Sequence, residues 1–127
     1  MLGKIMSLHT LIVTVIASLL LCSCSRTLSL DGIDAGLLVA EADVLIAKAA
    51  PDPTAKVIYS HDLPPEVWPP MIRKLNPRQV RYSYSGVWLL SFKWVSKEQG
   101  LFIPNRVTRT QHEGRQVKPG VFLYSSE

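Results

Sequence analysis

The chain has 127 residues, a net charge of +4 and two cysteines. That length suits one domain able to bury roughly 60–70% of its unfolded surface, and the cysteine count excludes a disulfide framework as its source of stability. Charge is uneven: residues 24–62 hold six acids and three bases, whereas residues 63–127 hold four acids and ten bases. A basic second half favours anionic partners.

The chain opens with Lys4 and then an apolar run of about a dozen residues, closing at Leu21-Cys22-Ser23-Cys24. A short positive start, an apolar middle and small residues at the end form an export signal. The last four residues resemble the lipobox of bacterial lipoproteins, and the resemblance covers only the first fifth of the chain. In that family a small residue precedes the cysteine that is lipidated and becomes the first residue of the mature chain. Ser23 fits that place, so the resemblance implies cleavage between Ser23 and Cys24 and lipid on Cys24. Cys22 fits poorly because bulky Leu21 precedes it. The implied division is a signal peptide over 1–23, a lipidated tether over 24–33 and one domain over 34–127. Each buried methylene contributes about 0.8 kcal/mol, and one acyl chain anchors only marginally. The two or three chains of such lipoproteins make attachment durable. The implied address is the bacterial cell envelope, and Ser25 resembles the pattern that sorts to the outer membrane of a Gram-negative host. Two other readings stand beside this one. Residues 5–25 carry no charge and are just long enough to span a bilayer uncleaved, or the signal is removed without lipidation.

After the tether the sequence predicts a helix over about 34–50. Asp31 or Asp34 can cap it, Lys48 sits in its last turn and Pro51 stops it. Ala35, Leu38, Val39, Ala42, Ile46 and Ala49 fall on one stripe. Leu37 and Val44 lie off that stripe, which implies burial on two sides or a partner. Residues 51–77 then hold seven of the nine prolines. Val57-Ile58-Tyr59 reads as a short edge strand. Proline is tolerated in the first turn of a helix and costs about 3 kcal/mol in its interior. A short helical turn is therefore expected after Pro69, ending before Asn76-Pro77. It would let Trp68, Met71, Ile72 and Leu75 pack inward and turn Arg73 and Lys74 outward. Of the three tryptophans Trp68, among four prolines, is the one most open to exposure instead.

Alternation over 78–95 predicts a β-hairpin. A three-residue loop, Tyr84-Ser85-Gly86, would set Tyr82 beside Trp88 and Val80 beside Leu90, with Gly86 left-handed. A two-residue loop at Ser85-Gly86 would set Arg81 beside Leu90, so the longer loop is preferred. On that reading Trp88 and Trp94 supply core. Ser96 to Gly100 reads as the next turn, Leu101-Phe102-Ile103 as a third strand and residues 106–110 as a polar strand. Pro119-Gly120 turns the chain into a last strand at Val121-Phe122-Leu123-Tyr124. The expected fold class is α+β: a small antiparallel meander of about four or five strands, with an N-terminal helix and a short Pro-flanked helical turn on one face.

Chemistry is sparse. The mature chain has no nucleophile motif, no metal-ligand spacing and no phosphate-cradling glycine loop, so no cofactor is called for. His61-Asp62 and His112-Glu113 are its only histidines, each beside an acid. They could form a zinc site if their two loops met, which nothing in their spacing requires, and His61 or His112 could serve a small envelope hydrolase. Asp62 and Glu66 could pair as carboxylates, but caps or solvated charges explain them as well. The better functional candidate is the basic cluster Arg73, Lys74, Arg78 and Arg81, an expected contact for anionic lipid or for an envelope protein partner. The simpler reading of those cations is solvated surface. Nucleic acid would attract the same charges, but not at an envelope address. An inhibitor of lysozyme, itself basic, is also disfavoured. The sequence therefore predicts a membrane-anchored, non-catalytic binding or accessory module. A single-pass or secreted binding domain without lipid and the hydrolase remain the alternatives.

Overall fold

Helix α1, Ala35–Lys48, begins where a side chain can satisfy its first turn: Asp34 Oδ1 accepts the Leu37 N–H at 3.1 Å. The computed structural model describes residues 28–49 and 60–126, the Trp94 side chain excepted. Leu38, Ala42 and Ile46 of the expected stripe are buried in α1, and Leu45, which that stripe leaves out, is buried with them. Leu37 and Val44 remain 54% and 58% exposed. The short strand expected at 57–59 and the signal segment both lie outside the described residues.

Strand β1, His61–Asp62, is followed by a 3₁₀ turn, Pro65–Val67, and by helix α2, Pro70–Leu75. Pro70 opens α2 and Asn76 closes it in the left-handed conformation, φ 54°. Ile72 and Leu75 are buried, with Arg73 and Lys74 outward, as expected. The start of α2 is capped from α1: the Glu41 carboxylate accepts the Met71 N–H at 2.7 and 2.9 Å and the Ile72 N–H at 3.3 Å. That satisfies donors a helix start leaves open and ties the two helices together. Of the two readings of Trp68, the inward one holds and exposure does not. It is buried, and its indole N–H donates to the Leu63 carbonyl at 2.9 Å, the partner a buried tryptophan needs.

The remaining strands are β2 (Gln79–Ser83), β3 (Gly86–Trp94), β4 (Lys97–Pro104), β5 (Gln116–Lys118) and β6 (Val121–Ser126). They form one six-stranded antiparallel sheet in the order β1-β2-β3-β4-β6-β5. The fold is α+β with both helices on one face, as expected, and with six strands rather than four or five. Under the helices Val80, Val87, Leu89, Leu101, Ile103 and Val121 meet Leu38, Ala42, Leu45, Ile46, Ile72 and Leu75 in one core. Leu28, Leu30 and Ile33 also pack against that core, so the described part of the expected tether lies against the domain. Among the described residues no helix is long and apolar enough to cross a membrane.

The β2–β3 register is one residue away from the preferred one. Ser83 pairs with Gly86, Tyr82 with Val87, Arg81 with Trp88 and Val80 with Leu89, leaving a two-residue loop, Tyr84-Ser85. β3 is apolar at both phases, so Val80 and Tyr82 find apolar partners in either register. Asn105 fixes the choice: its side-chain amide donates to the Tyr84 carbonyl at 2.6 Å and its backbone N–H to the Ser85 carbonyl at 2.8 Å. Gly86 is required for another reason than a left-handed loop. A Cβ there would stand 2.4 Å from the Phe102 ring and 2.6 Å from the Ile103 carbonyl. Since a one-residue slip exchanges the faces of a strand, Val87 and Leu89 enter the core and Trp88 turns to the other face. This overturns the expectation of Trp88 as core. That for Trp94 lies outside the described residues.

Two further elements differ. The β3–β4 turn is Val95-Ser96, and Lys97 to Gly100, expected as turn, continue β4. The expected strand at 106–110 is a turn and a 3₁₀ helix, Arg109–Gln111. Arg109 explains it. Its guanidinium pairs with Asp43 of α1 at 2.5 Å and donates to the Pro104 carbonyl at 3.1 Å, drawing this loop toward the helix layer instead of the sheet edge.

Candidate functional site

Because Val87, Leu89, Leu101 and Ile103 point to the helices, their strand neighbours point away from them. One continuous row then crosses the sheet on its helix-free face: Asp62, Arg81, Trp88, Phe102, Phe122 and Gln116, each the cross-strand partner of the next. Tyr124 sits one rung away, opposite Gly100. Trp88 and Phe102 stack with centroids 4.9 Å apart, and Phe102 lies 6.5 Å from Tyr124. His112, from the loop before β5, tilts against Phe102 at 5.3 Å and meets Phe122 edge-on at 4.5 Å. Phe122 is buried beneath them, while Trp88, Phe102, His112 and Tyr124 are half-buried. Each such aromatic pair contributes about 0.5–1.5 kcal/mol beyond its area.

Arg81 organises the charged end of this face. Its guanidinium centre lies 5.5 Å from the Trp88 ring centroid. From there it spans β3 to reach Glu98 on β4 with two hydrogen bonds, 3.3 Å to Oε1 and 2.6 Å to Oε2. The Tyr124 hydroxyl lies 3.5 Å from the same Oε2. The Arg81 hydrogen bond, more than any other contact, holds the Glu98 carboxyl below its ordinary value of 4.5, and Glu98 in turn raises the Arg81 guanidinium, which stays charged throughout.

A depressed carboxylate contributes stability that is complete above its ordinary value and is lost as pH falls through the lower folded one. Glu98→Gln is therefore expected to destabilise the domain at neutral pH by about 1–2 kcal/mol. The difference from wild type should shrink once the pH drops below the ordinary carboxylate range. Urea midpoints of both chains against pH check this; a difference independent of pH would mean that the ion pair is not what the substitution removes.

Beyond Phe102 the face opens into a cleft of about 550 Å³ between the Tyr84-Ser85 turn and the loop carrying Asn105, Val107, Thr108 and His112. Its floor is aromatic and its rim polar. A second, apolar hollow of about 310 Å³ lies in the helix layer between Leu37, Ala40 and Val44 of α1 and Pro70 and Met71 of α2.

The four predicted cations do not share one surface. Arg73 and Lys74 stand on α2, in the helix layer, where Arg73 donates to the Glu66 carbonyl at 3.1 Å. Arg78 is exposed at the bend before β2. Arg81 lies on the opposite face of the sheet, bound to Glu98. The histidines are not brought together either. His61 tilts against Tyr82 at 5.4 Å at the β1 edge, whereas His112 lies with Phe102 and Phe122 on the helix-free face. Asp62 accepts a hydrogen bond from the Gln79 side-chain amide at 2.7 Å, and Glu66 is exposed on the 3₁₀ turn. Among the described residues no three His, Cys, Asp or Glu side chains are placed to hold a metal. Ser23 and Cys24 lie outside the described residues. The aromatic face itself was open to sequence reasoning. Residues 87–90, 101–103 and 121–124 are apolar at both phases of the strand alternation, which marks a sheet with two apolar faces.

No family model, curated protein or solved structure matches the chain.

Proposed function

We propose that the chain is a bacterial envelope lipoprotein, anchored to the membrane through Cys24, whose domain is a non-catalytic module that docks an envelope protein on the helix-free face of its sheet. The observation that carries the docking half is the Arg81, Trp88, Phe102 and Phe122 row with Tyr124 and His112 around it. The core beneath the helices is complete without these rings, yet the sequence places four aromatic side chains and an oriented guanidinium on the face without a second layer. Tryptophan, tyrosine and arginine are the residue types that carry binding energy at protein interfaces. Arg81 and Glu98 neutralise each other there, so little charge must be stripped of water when that face is covered. The rings form a packed row, a surface suited to side chains of another protein. The lipobox supports the address. A zinc site shared by both histidines gains no support from this geometry, since His61 lies at the β1 edge and His112 on the loop over the helix-free face.

The test is face-specific crosslinking in cells. The full chain carries a photoreactive phenylalanine analogue at position 88 or 124 on the sheet face, or at 44 or 67 as exposed controls. The expected result is one discrete adduct from positions 88 and 124 and none from 44 and 67. Adducts from the controls alone, or from no position, would contradict a docking role for this face.

A further inference from the structure

We infer that the tip of the β3–β4 hairpin is a second membrane contact, in which Lys93 and Lys97 meet anionic phospholipid headgroups and Val95 enters the headgroup layer. The inference rests on the lipidation of Cys24 proposed above.

Leu28, the first described residue, lines a hollow with Ser91, Gln99, Leu101, Leu123 and Ser125. Chain entry is therefore fastened to the half of the sheet that ends in the β3–β4 turn, with Gln99 only two residues from Lys97, about 7 Å along the strand. Cys24 precedes Leu28 by four residues, a reach of about 14 Å even when fully extended. With Cys24 at the lipid surface, this end of the domain is held against the bilayer. The opposite end, beyond Pro104, lies about 23 Å away along β4, and there the Tyr84-Ser85 turn and the His112 cleft face away from the membrane.

The composition of the tip fits that placement. The hairpin reads Lys93-Trp94-Val95-Ser96-Lys97. Val95 is 91% exposed and takes φ 42°, a left-handed conformation that is a genuine outlier for a β-branched residue. A turn free in water would be served better by glycine or asparagine. Nothing inside the fold accounts for valine there, because almost all of its side chain faces outward. Lys93 and Lys97 flank it and are both exposed. Glu98, the cross-strand partner of Lys93, is already bound by Arg81. An apolar tip between two cations, on the end of the domain nearest the anchor, matches the layered chemistry of an anionic bilayer surface.

The experiment uses the full chain purified from membranes and returned to vesicles of phosphatidylcholine with phosphatidylglycerol. Intact mass establishes the acyl chains on each preparation. A fluorophore is placed at Val95→Cys or, at the far end, at Val107→Cys, a position also exposed, and headgroup-labelled quencher lipid is added. Position 95 is expected to be quenched severalfold more than position 107. Lys93→Glu with Lys97→Glu is expected to remove that severalfold excess, bringing quenching at position 95 down to the level at position 107, and to do so only in vesicles containing phosphatidylglycerol. Equal quenching at 95 and 107 in an acylated, vesicle-bound chain would overturn the tip contact and leave the anchor standing. A chain without acyl mass that separates from vesicles would overturn both.

Discussion

Gly100→Ala is expected to remove more than about 4 kcal/mol of stability, enough to leave the domain largely unfolded. A Cβ at position 100 would stand 2.1 Å from the Leu89 carbonyl oxygen and 2.8 Å from the Leu90 Cα. Both are backbone atoms of the neighbouring strand, so no rotamer change relieves the clash. Relief requires β3 and β4 to separate, and with them the rungs on either side: Phe102 against Trp88, and the reach of Arg81 to Glu98. Far-ultraviolet circular dichroism with urea titration of the variant checks this. Near wild-type stability would mean that β3 and β4 do not pair in this register.

The second large effect concerns the phase of α1. Leu38 is fully buried between α1 and the sheet, whereas its neighbour Leu37 is 54% exposed. Leu38→Ala is expected to cost about 2–5 kcal/mol by lost burial and the cavity left behind, and Leu37→Ala less than about 0.5 kcal/mol. The shift in urea midpoint for each variant reads this directly. Comparable losses at both positions would mean that Leu37 is covered as well, as it would be if a partner or second copy sat on the hollow beside Met71.

The same contrast shows what was legible in the sequence. Helical periodicity placed the α1 stripe correctly because a helix with one polar flank has one way to bury its apolar side. Pro70 and Asn76 likewise bounded α2, since proline tolerates only a first turn and asparagine the left-handed stop. The β3 register was not legible, because a strand apolar on both faces satisfies its partner in two registers. The deciding contact, the Asn105 side chain on the Tyr84 carbonyl, comes from 21 residues downstream. Missing that contact also hid the site: with Trp88 assigned to the core, Phe102, Phe122 and Tyr124 had no reason to gather around it. The charge of Arg81 is visible in the sequence, but its contacts with Glu98 and the Trp88 ring exist only where the sheet brings them together. The loop at 106–110 alternates like a strand, and only the long reach of Arg109 to Asp43 of α1 shows why it is not one.

The proposed anchor and docking face would together give the domain an orientation, with the chain entry and hairpin tip toward lipid and the aromatic row and cleft end toward a partner. The most direct test of that account is the intact mass of the protein extracted from membranes, wild type beside Cys24→Ala, with membrane fractionation of both. The expected wild-type mass equals residues 24–127 plus acyl chains, with loss of both the added mass and membrane attachment in Cys24→Ala. A full-length, unacylated mass with both chains still in the membrane fraction would contradict it.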